Sequence, residues 1–357
     1  MEKELMFLRG NEAVAEAAIR LGVDGYYGYP ITPQSEILEY LMATNAYERC
    51  GMVVLQVESE IAAINSVYGG AGCGKKILAS SSSPGISLMQ EGFSYLAGAE
   101  LPCVIVNVSR GGPGLGTIQP AQADYWQSVK GGGHGDYHLI VLAPDSVQEM
   151  ADFVELGFDL AFKYRNPVLI LTDGAIGQMM EKVYMKPHKP RSEEAPAWAT
   201  TGKGDKEKMT IITSLFLQAQ DKEDASLRMI EKYNEIKEKE VRFEEYYCDD
   251  IDYLLVAYGT SARVCKKSVQ LAREQGIKVG LLRPITLFPF PSVRINELAD
   301  NVKGILSVEM SAGQMVEDIE LAVKGKTPVR HFGRMGGVVT TPDEVVEKLK
   351  TFFIGGN

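Results

Sequence analysis

Clustered cysteine is the first thing this sequence lacks. Its five cysteines, at positions 50, 73, 103, 248 and 265, are far apart, and no Cys-x-x-Cys occurs. An iron–sulfur cluster or a zinc ribbon needs grouped thiolates, so the reading assigns this chain no metal site of its own. Cys103, inside an apolar run, reads as a small buried hydrophobe. Positive charge is scarce as well: 37 Lys and Arg stand against 47 Asp and Glu, a formal net charge of −10. A nucleic-acid surface needs a basic stripe, and the patch from Lys186 to Arg191 is too short to make one. No apolar run approaches the length of a membrane span, and Glu2, Lys3 and Glu4 stand where a basic-then-apolar leader would be. The expectation is a cytoplasmic protein with reduced thiols and neither nucleic-acid nor membrane partners.

Two missing phosphate motifs narrow the chemistry further. No G-x-G-x-x-G fingerprint is present, which removes the main support for a nicotinamide or flavin dehydrogenase. Gly69-Gly70-Ala71-Gly72-Cys73-Gly74-Lys75-Lys76 almost spells a phosphate loop, but Lys76 replaces the hydroxyl residue that would hold magnesium. This glycine run also follows a helical pattern and leads into a strand, the reverse of the required order, so it reads as a helix end. His134 and His138 lie in a glycine-rich stretch without a carboxylate trio and make a poor metal pair.

What is present is an α/β alternation. Val53–Val57, Lys76–Ser80, Cys103–Val108, Leu139–Leu142 and Val168–Leu171 are continuously or nearly apolar, as strands buried on both faces are. Amphipathic stretches such as Ile86–Ala97 and Val147–Tyr164 lie between them, the second opened by a capping box, Ser146 to Glu149. A parallel sheet with helices on both faces follows. From Met185 to about Asp250 prolines and charges take over, and Leu227, Ile230, Tyr233 and Ile236 predict one helix with a buried stripe. A second alternating unit starts at Ile251. The expected division is 1–185, a linker 186–249, and a smaller α/β domain 250–357.

Three segments carry chemistry. Gly28-Tyr29-Pro30-Ile31-Thr32-Pro33 and Glu58-Ser59-Glu60-Ile61-Ala62-Ala63 each sit where a short strand turns into a helix, the rim at which such sheets place ligands. Thr32 reads as an N-cap and Pro33 as a first helical residue. Glu60 is suited to a helix first turn, and the small apolar run after it suggests close packing against another element or chain. Arg110 ends an apolar strand and enters Gly111-Gly112-Pro113-Gly114, where a guanidinium can clamp a carboxylate.

Together these segments resemble the α subunit of the thiamine-diphosphate-dependent 2-oxoacid:ferredoxin oxidoreductases, most closely the branched-chain (2-oxoisovalerate) type. The resemblance covers essentially the whole chain and implies a pyrimidine-binding domain plus a transketolase C-terminal-like domain. The latter is suggested by Leu282-Arg283-Pro284-Ile285-Thr286-Leu287-Phe288-Pro289 and by Val308-Glu309-Met310 with Gly313-Gln314. In that family the glutamate matching Glu60 hydrogen-bonds N1′ of the cofactor aminopyrimidine. The arginine matching Arg110 and the threonine matching Thr32 bind the 2-oxoacid carboxylate. The resemblance also implies that Tyr29 and Pro30 line the substrate and that Ile31 lines the cofactor. Thiamine-diphosphate enzymes anchor the diphosphate through Mg²⁺ and a Gly-Asp-Gly segment, which this chain lacks; Thr172-Asp173-Gly174 is the nearest approach.

The chain is therefore expected to be half of a site. A β subunit would bring the diphosphate and Mg²⁺, and an iron–sulfur subunit would pass electrons singly to ferredoxin. Coenzyme A would take the acyl group. The loop from Gly111 to Asp136 resembles the branched-chain subfamily, and no Lys or Arg lies between Arg110 and Lys130 to meet a second carboxylate. Pyruvate and 2-oxoglutarate are the alternative substrates. A transketolase-like transferase half and a non-catalytic scaffold are the alternatives of another class.

Overall fold

The computed structural model describes residues 4–192, 194–204 and 208–355. In chain order the strands are β1 (Glu4–Arg9), β2 (Gly25–Gly28), β3 (Val53–Gln56), β4 (Ile77–Ser81), β5 (Val104–Ser109), β6 (Ile140–Leu142) and β7 (Val168–Asp173). They continue as β8 (Met180–Met185), β9 (Phe243–Tyr246), β10 (Tyr253–Val256), β11 (Val279–Pro284), β12 (Thr286–Phe288), β13 (Gly304–Glu309) and β14 (Val329–Gly333).

Seven strands form the larger sheet in the order β12-β6-β7-β5-β4-β2-β3, parallel throughout except for β12 against β6. Strands β4 to β7 are buried at every position, which is why their sequences are almost unbroken runs of apolar residues. The expectation fails for β3. It is the outermost strand of the sheet, and Val53 and Leu55 are exposed there. The second sheet runs β14-β13-β10-β11-β9, parallel apart from β9, and β1 pairs with β8 as an antiparallel ribbon. The chain passes between the sheets three times: β9 leaves the charged stretch for the second sheet, β12 returns to the first, and β13 goes back to the second.

The two units are held together by buried polar contacts. Gln122 donates from its backbone N–H to the Met310 carbonyl (2.9 Å) and from Nε2 to the Tyr258 carbonyl (2.8 Å). Its Oε1 accepts from Met310 N–H (3.0 Å) and Ser261 Oγ (2.6 Å). Arg283, on β11, is buried against Glu149 (2.7 Å), which opens the helix Val147–Tyr164. This contact changes the predicted capping box: Ser146 Oγ accepts from Glu149 N–H, but the Glu149 side chain serves Arg283 and the Asp145 N–H instead.

Other local predictions separate by whether a side chain had a competing partner. The glycine run at 69–72 closes the helix Glu60–Gly72, Gly74 adopts φ +74°, and the chain then enters β4, as a helix end requires. In the helix Ala219–Lys239 the buried stripe is Met229, Tyr233 and Ile236, while Leu227 and Ile230 face outward. Thr32 is not an N-cap. The helix begins at Ser35 with Gln34 as the preceding residue. Gln34 is fully buried, donating to the Tyr29 carbonyl (2.9 Å) and accepting from Ser80 (2.6 Å), so the 29–34 segment is tied down into the sheet edge and the helix starts later.

Candidate functional site

Because β2, β3, β4, β5 and β7 are mutually parallel, their carboxyl ends open on one edge of the sheet. The three segments singled out above follow β2, β3 and β5 and therefore share that edge, where open α/β sheets bind ligands. A fourth segment was not singled out: Ser81-Ser82-Ser83, after β4, leads into the helix Ser83–Gly98.

Glu60 is the first residue of its helix, capped by Ser59, whose Oγ accepts from Ala62 N–H (3.2 Å). The residue is 5% exposed, and the one hydrogen bond to its side chain among the described residues is a long one from Ser81 Oγ (3.3 Å). No Lys, Arg or His pairs with it among the described residues. Opposite it stands Gly85. A Cβ there would lie 2.3 Å from Glu60 Oε1 and 2.1 Å from Ser81 Oγ, so only glycine lets the helix approach so closely. The small residues after Glu60 serve packing within the chain: Ala63, Ile64, Val67 and Ala71 are buried, and Ile64 fills the space left by Gly92. Ile61 remains exposed.

Arg110 sits across the same helix turn. Its N–H donates to Ser83 Oγ (3.0 Å), its Nη1 to the Thr32 carbonyl (3.0 Å) and its Nη2 to the Leu115 carbonyl (3.3 Å). Its Nε is buried without a partner among the described residues, leaving a charged donor for something the chain does not supply. The loop beyond is closed on itself, with Thr117 N–H on the Gly111 carbonyl (2.8 Å) and Gly111 N–H on the Gln119 carbonyl (3.0 Å). Gly116, at φ +56°, is needed there, because a Cβ would fall 1.8 Å from the Gly111 oxygen.

Thr32 is brought to Arg110 through its backbone, and its side chain is exposed. Tyr29 and Pro30 are exposed at the rim, and Ile31 is half-buried with its carbonyl accepting from Gln34 N–H (3.0 Å). Behind Arg110 lies Asp124, buried, accepting from Ser83 Oγ (2.6 Å) and Asn107 Nδ2 (2.9 Å). Burial pushes its carboxyl above the usual carboxylate range, opposed by the hydrogen bonds from Ser83 and Asn107 and by the Arg110 charge.

An aminopyrimidine fits this arrangement. It needs a carboxylate with a free oxygen at the mouth of a sheet edge, and Glu60 Oε2 carries no hydrogen bond among the described residues, while Oε1 is held by Ser81 against Gly85. No group of three or more His, Cys, Asp or Glu side chains that could hold a metal ion by themselves lies among the described residues. Asp173, in the Thr172-Asp173-Gly174 segment, instead caps its own helix by accepting from Ala175 N–H (2.9 Å) and accepts from Thr260 (2.9 Å). None of the described helices is long and apolar enough to cross a membrane.

Comparison with known proteins agrees with this geometry. The chain is 51% identical over 343 residues, 96% of both chains, to the ketoisovalerate oxidoreductase subunit VorB of Methanothermobacter thermautotrophicus. Among solved structures it resembles a 2-oxoglutarate:ferredoxin oxidoreductase from Magnetococcus marinus, determined with 2-oxoglutarate, coenzyme A and succinyl-CoA bound. That match has a TM-score of 0.84 and 25% identity, and covers 98% of this chain but only 65% of the solved one. An inactive split-gene transketolase tetramer shares the fold at a TM-score of 0.60 with 12% identity, over 96% of this chain and 97% of the other. Residues 251–345 match the model of the pyruvate:ferredoxin oxidoreductase core domain II. Residues 16–247, which hold Glu60, Arg110 and the edge they share, match that of the thiamine-diphosphate-binding pyruvate flavodoxin/ferredoxin oxidoreductases, and to that family this chain belongs.

Proposed function

We propose that this chain is the pyrimidine-side subunit of an enzyme that oxidatively decarboxylates a branched-chain 2-oxoacid to its acyl-CoA and CO₂ while reducing ferredoxin. The observation that carries the reading is that Glu60 and Arg110 flank one helix turn, Ser83 to Gly85, each with unsatisfied capacity toward a ligand. Thiamine diphosphate supplies, when bound, a carbon nucleophile for the 2-oxo carbon and a sink for the electron pair released with CO₂. Glu60 holds the proton at the aminopyrimidine N1′, with Ser81 and the helix N-terminus orienting it. Arg110 takes the substrate carboxylate with Nε and one Nη, while the Thr32 and Leu115 carbonyls fix the plane of the guanidinium. Tyr29, Pro30 and Ile31 form the wall between substrate and cofactor.

The branched-chain preference is supported by the 51% identity to a ketoisovalerate oxidoreductase subunit against 32–36% to 2-oxoglutarate synthase subunits KorA. It is supported too by the absence of Lys and Arg from the loop between Arg110 and Lys130. A β subunit brings the diphosphate and Mg²⁺ and covers the exposed Val53, Leu55 and Ile61 beside Glu60. An iron–sulfur subunit carries the electrons to ferredoxin. The division into residues 1–185, 186–249 and 250–357 belongs to the same reading.

Reconstitution tests it. The chain alone is expected to be colourless and inactive, and to reduce a viologen dye with 2-oxoisovalerate and coenzyme A only after the β and iron–sulfur subunits are added. Activity of the chain alone, or a strong preference of the complex for 2-oxoglutarate in a panel of 2-oxoacids, would overturn it. A complex that moved carbon units without reducing the dye would favour a transketolase-like transferase.

A further inference from the structure

The proposed mechanism uses Arg110 but not the buried carboxylate behind it. Asp124 is 9% exposed and forms no salt bridge with a Lys or Arg among the described residues; it accepts from Ser83 Oγ at 2.6 Å and from Asn107 Nδ2 at 2.9 Å. Burying a carboxylate is costly even with hydroxyl and amide donors and the Arg110 charge nearby, so its retention calls for a use. Ser83 indicates one. Its hydroxyl has a single proton and two acceptors within reach, Asp124 Oδ2 at 2.6 Å and the Arg110 carbonyl at 3.2 Å. The shorter, charge-assisted bond takes the proton. That choice turns the oxygen's lone pairs toward the Arg110 N–H, which donates to it at 3.0 Å.

We propose that Asp124 is a positioning residue for the substrate-binding arginine, acting through Ser83. The carboxylate fixes the Ser83 hydroxyl as donor to itself and acceptor from Arg110. The serine in turn fixes the backbone from which the guanidinium is presented, at the point where β5 gives way to the glycine loop. Ser83 also belongs to the helix turn whose Gly85 faces Glu60, so one relay sets the distance between the two ligand-binding groups. Neither Asp124 nor Ser83 needs to touch the substrate. The inference rests on Arg110 being the carboxylate ligand, as proposed above.

The experiment uses the assembled complex with its β and iron–sulfur partners, assayed by viologen reduction. Ser83→Ala and Asp124→Ala are expected to raise KM for 2-oxoisovalerate roughly tenfold, the order expected from losing one charge-assisted hydrogen bond, with KM for coenzyme A unchanged. Asp124→Asn keeps an acceptor oxygen for the Ser83 hydroxyl and should restore KM to within a few-fold of the parent. In an Arg110→Ala background, Ser83→Ala should add nothing further to KM, because its effect passes through the missing side chain. A purely structural role would lower the melting temperature, raise both KM values together, and add to the effect of Arg110→Ala. If Arg110→Ala raises KM but the Ser83 and Asp124 variants do not, the positioning role is wrong and the arginine assignment stands. If Arg110→Ala itself leaves KM unchanged, the arginine assignment fails and the positioning role with it. Should Asp124→Ala fail to assemble, Ser83→Ala and the double variant decide alone.

Discussion

Two buried glutamates in this molecule stand where a parallel strand gives way to a helix and live in opposite circumstances. Glu60 follows β3 and opens a helix; Glu309 ends β13, just ahead of the helix Met315–Val323. Both side chains are buried. Glu309 is saturated: it accepts from Ser307 and Ser311 hydroxyls (2.8 and 3.0 Å) and from the N–H groups of Gln314, Met315 and Val316 (3.0, 2.9 and 3.0 Å). The Glu60 side chain accepts one hydrogen bond among the described residues, at 3.3 Å. A buried carboxylate with five donors is a piece of scaffolding, because it satisfies the orphan amides of a helix start. A buried carboxylate with one keeps acceptor capacity that the described residues do not fill.

Substitution separates the two. Glu60→Gln should lower turnover of the assembled complex by roughly 10²–10⁴-fold, the range for a group that holds a catalytic proton. The melting temperature should barely move, since little in the chain depends on that carboxylate. Near-normal turnover would erase the contrast. Arg110→Ala comes next, with a loss of roughly 2–5 kcal/mol in kcat/KM, because it leaves the substrate charge unpaired in a drier site. A variant that kept its kcat/KM would remove Arg110 from the substrate. Glu309→Ala should do the reverse of Glu60→Gln, costing roughly 3 kcal/mol of stability through the amides and hydroxyls it orphans. Denaturant unfolding checks this, and a stable Glu309→Ala chain would show that five hydrogen bonds do not make a carboxylate structural.

The sequence makes one glutamate legible and leaves the other ambiguous for a physical reason. Strands β4 to β7 announce themselves because burial on both faces forces unbroken apolar runs. The helix end at Gly74 announces itself because caps are local. Glu60 and Arg110 are legible through the motifs around them. Their partners are not: Ser83, Gly85 and Asp124 look like ordinary turn, helix and loop residues until strands distant in sequence are laid side by side. Gly85 is the clearest instance, since nothing in Ser83-Pro84-Gly85-Ile86 tells that Glu60, twenty-five residues earlier, will press against it. Thr32 shows the opposite error. Its sequence setting favours an N-cap, but Gln34 finds partners on β4 and the Tyr29 carbonyl, and that tertiary pull displaces the local preference.

Thr32 also provides the smallest and sharpest test of how the open edge works. Its carbonyl already accepts from Arg110 Nη1 at 3.0 Å, a contact any residue at this position would make. Only the exposed hydroxyl is left to serve the substrate, as one neutral hydrogen bond beside the charge-assisted bonds of the guanidinium. Thr32→Val preserves the shape and the carbonyl and removes that hydroxyl, so it should cost roughly 0.5–1.5 kcal/mol in kcat/KM. The loss should fall mainly on KM for the 2-oxoacid. A loss as large as that of Arg110→Ala would mean that the hydroxyl carries the recognition and that the arginine chiefly holds the 29–34 segment in place. No loss at all would confine Thr32 to its backbone role as the brace of the guanidinium.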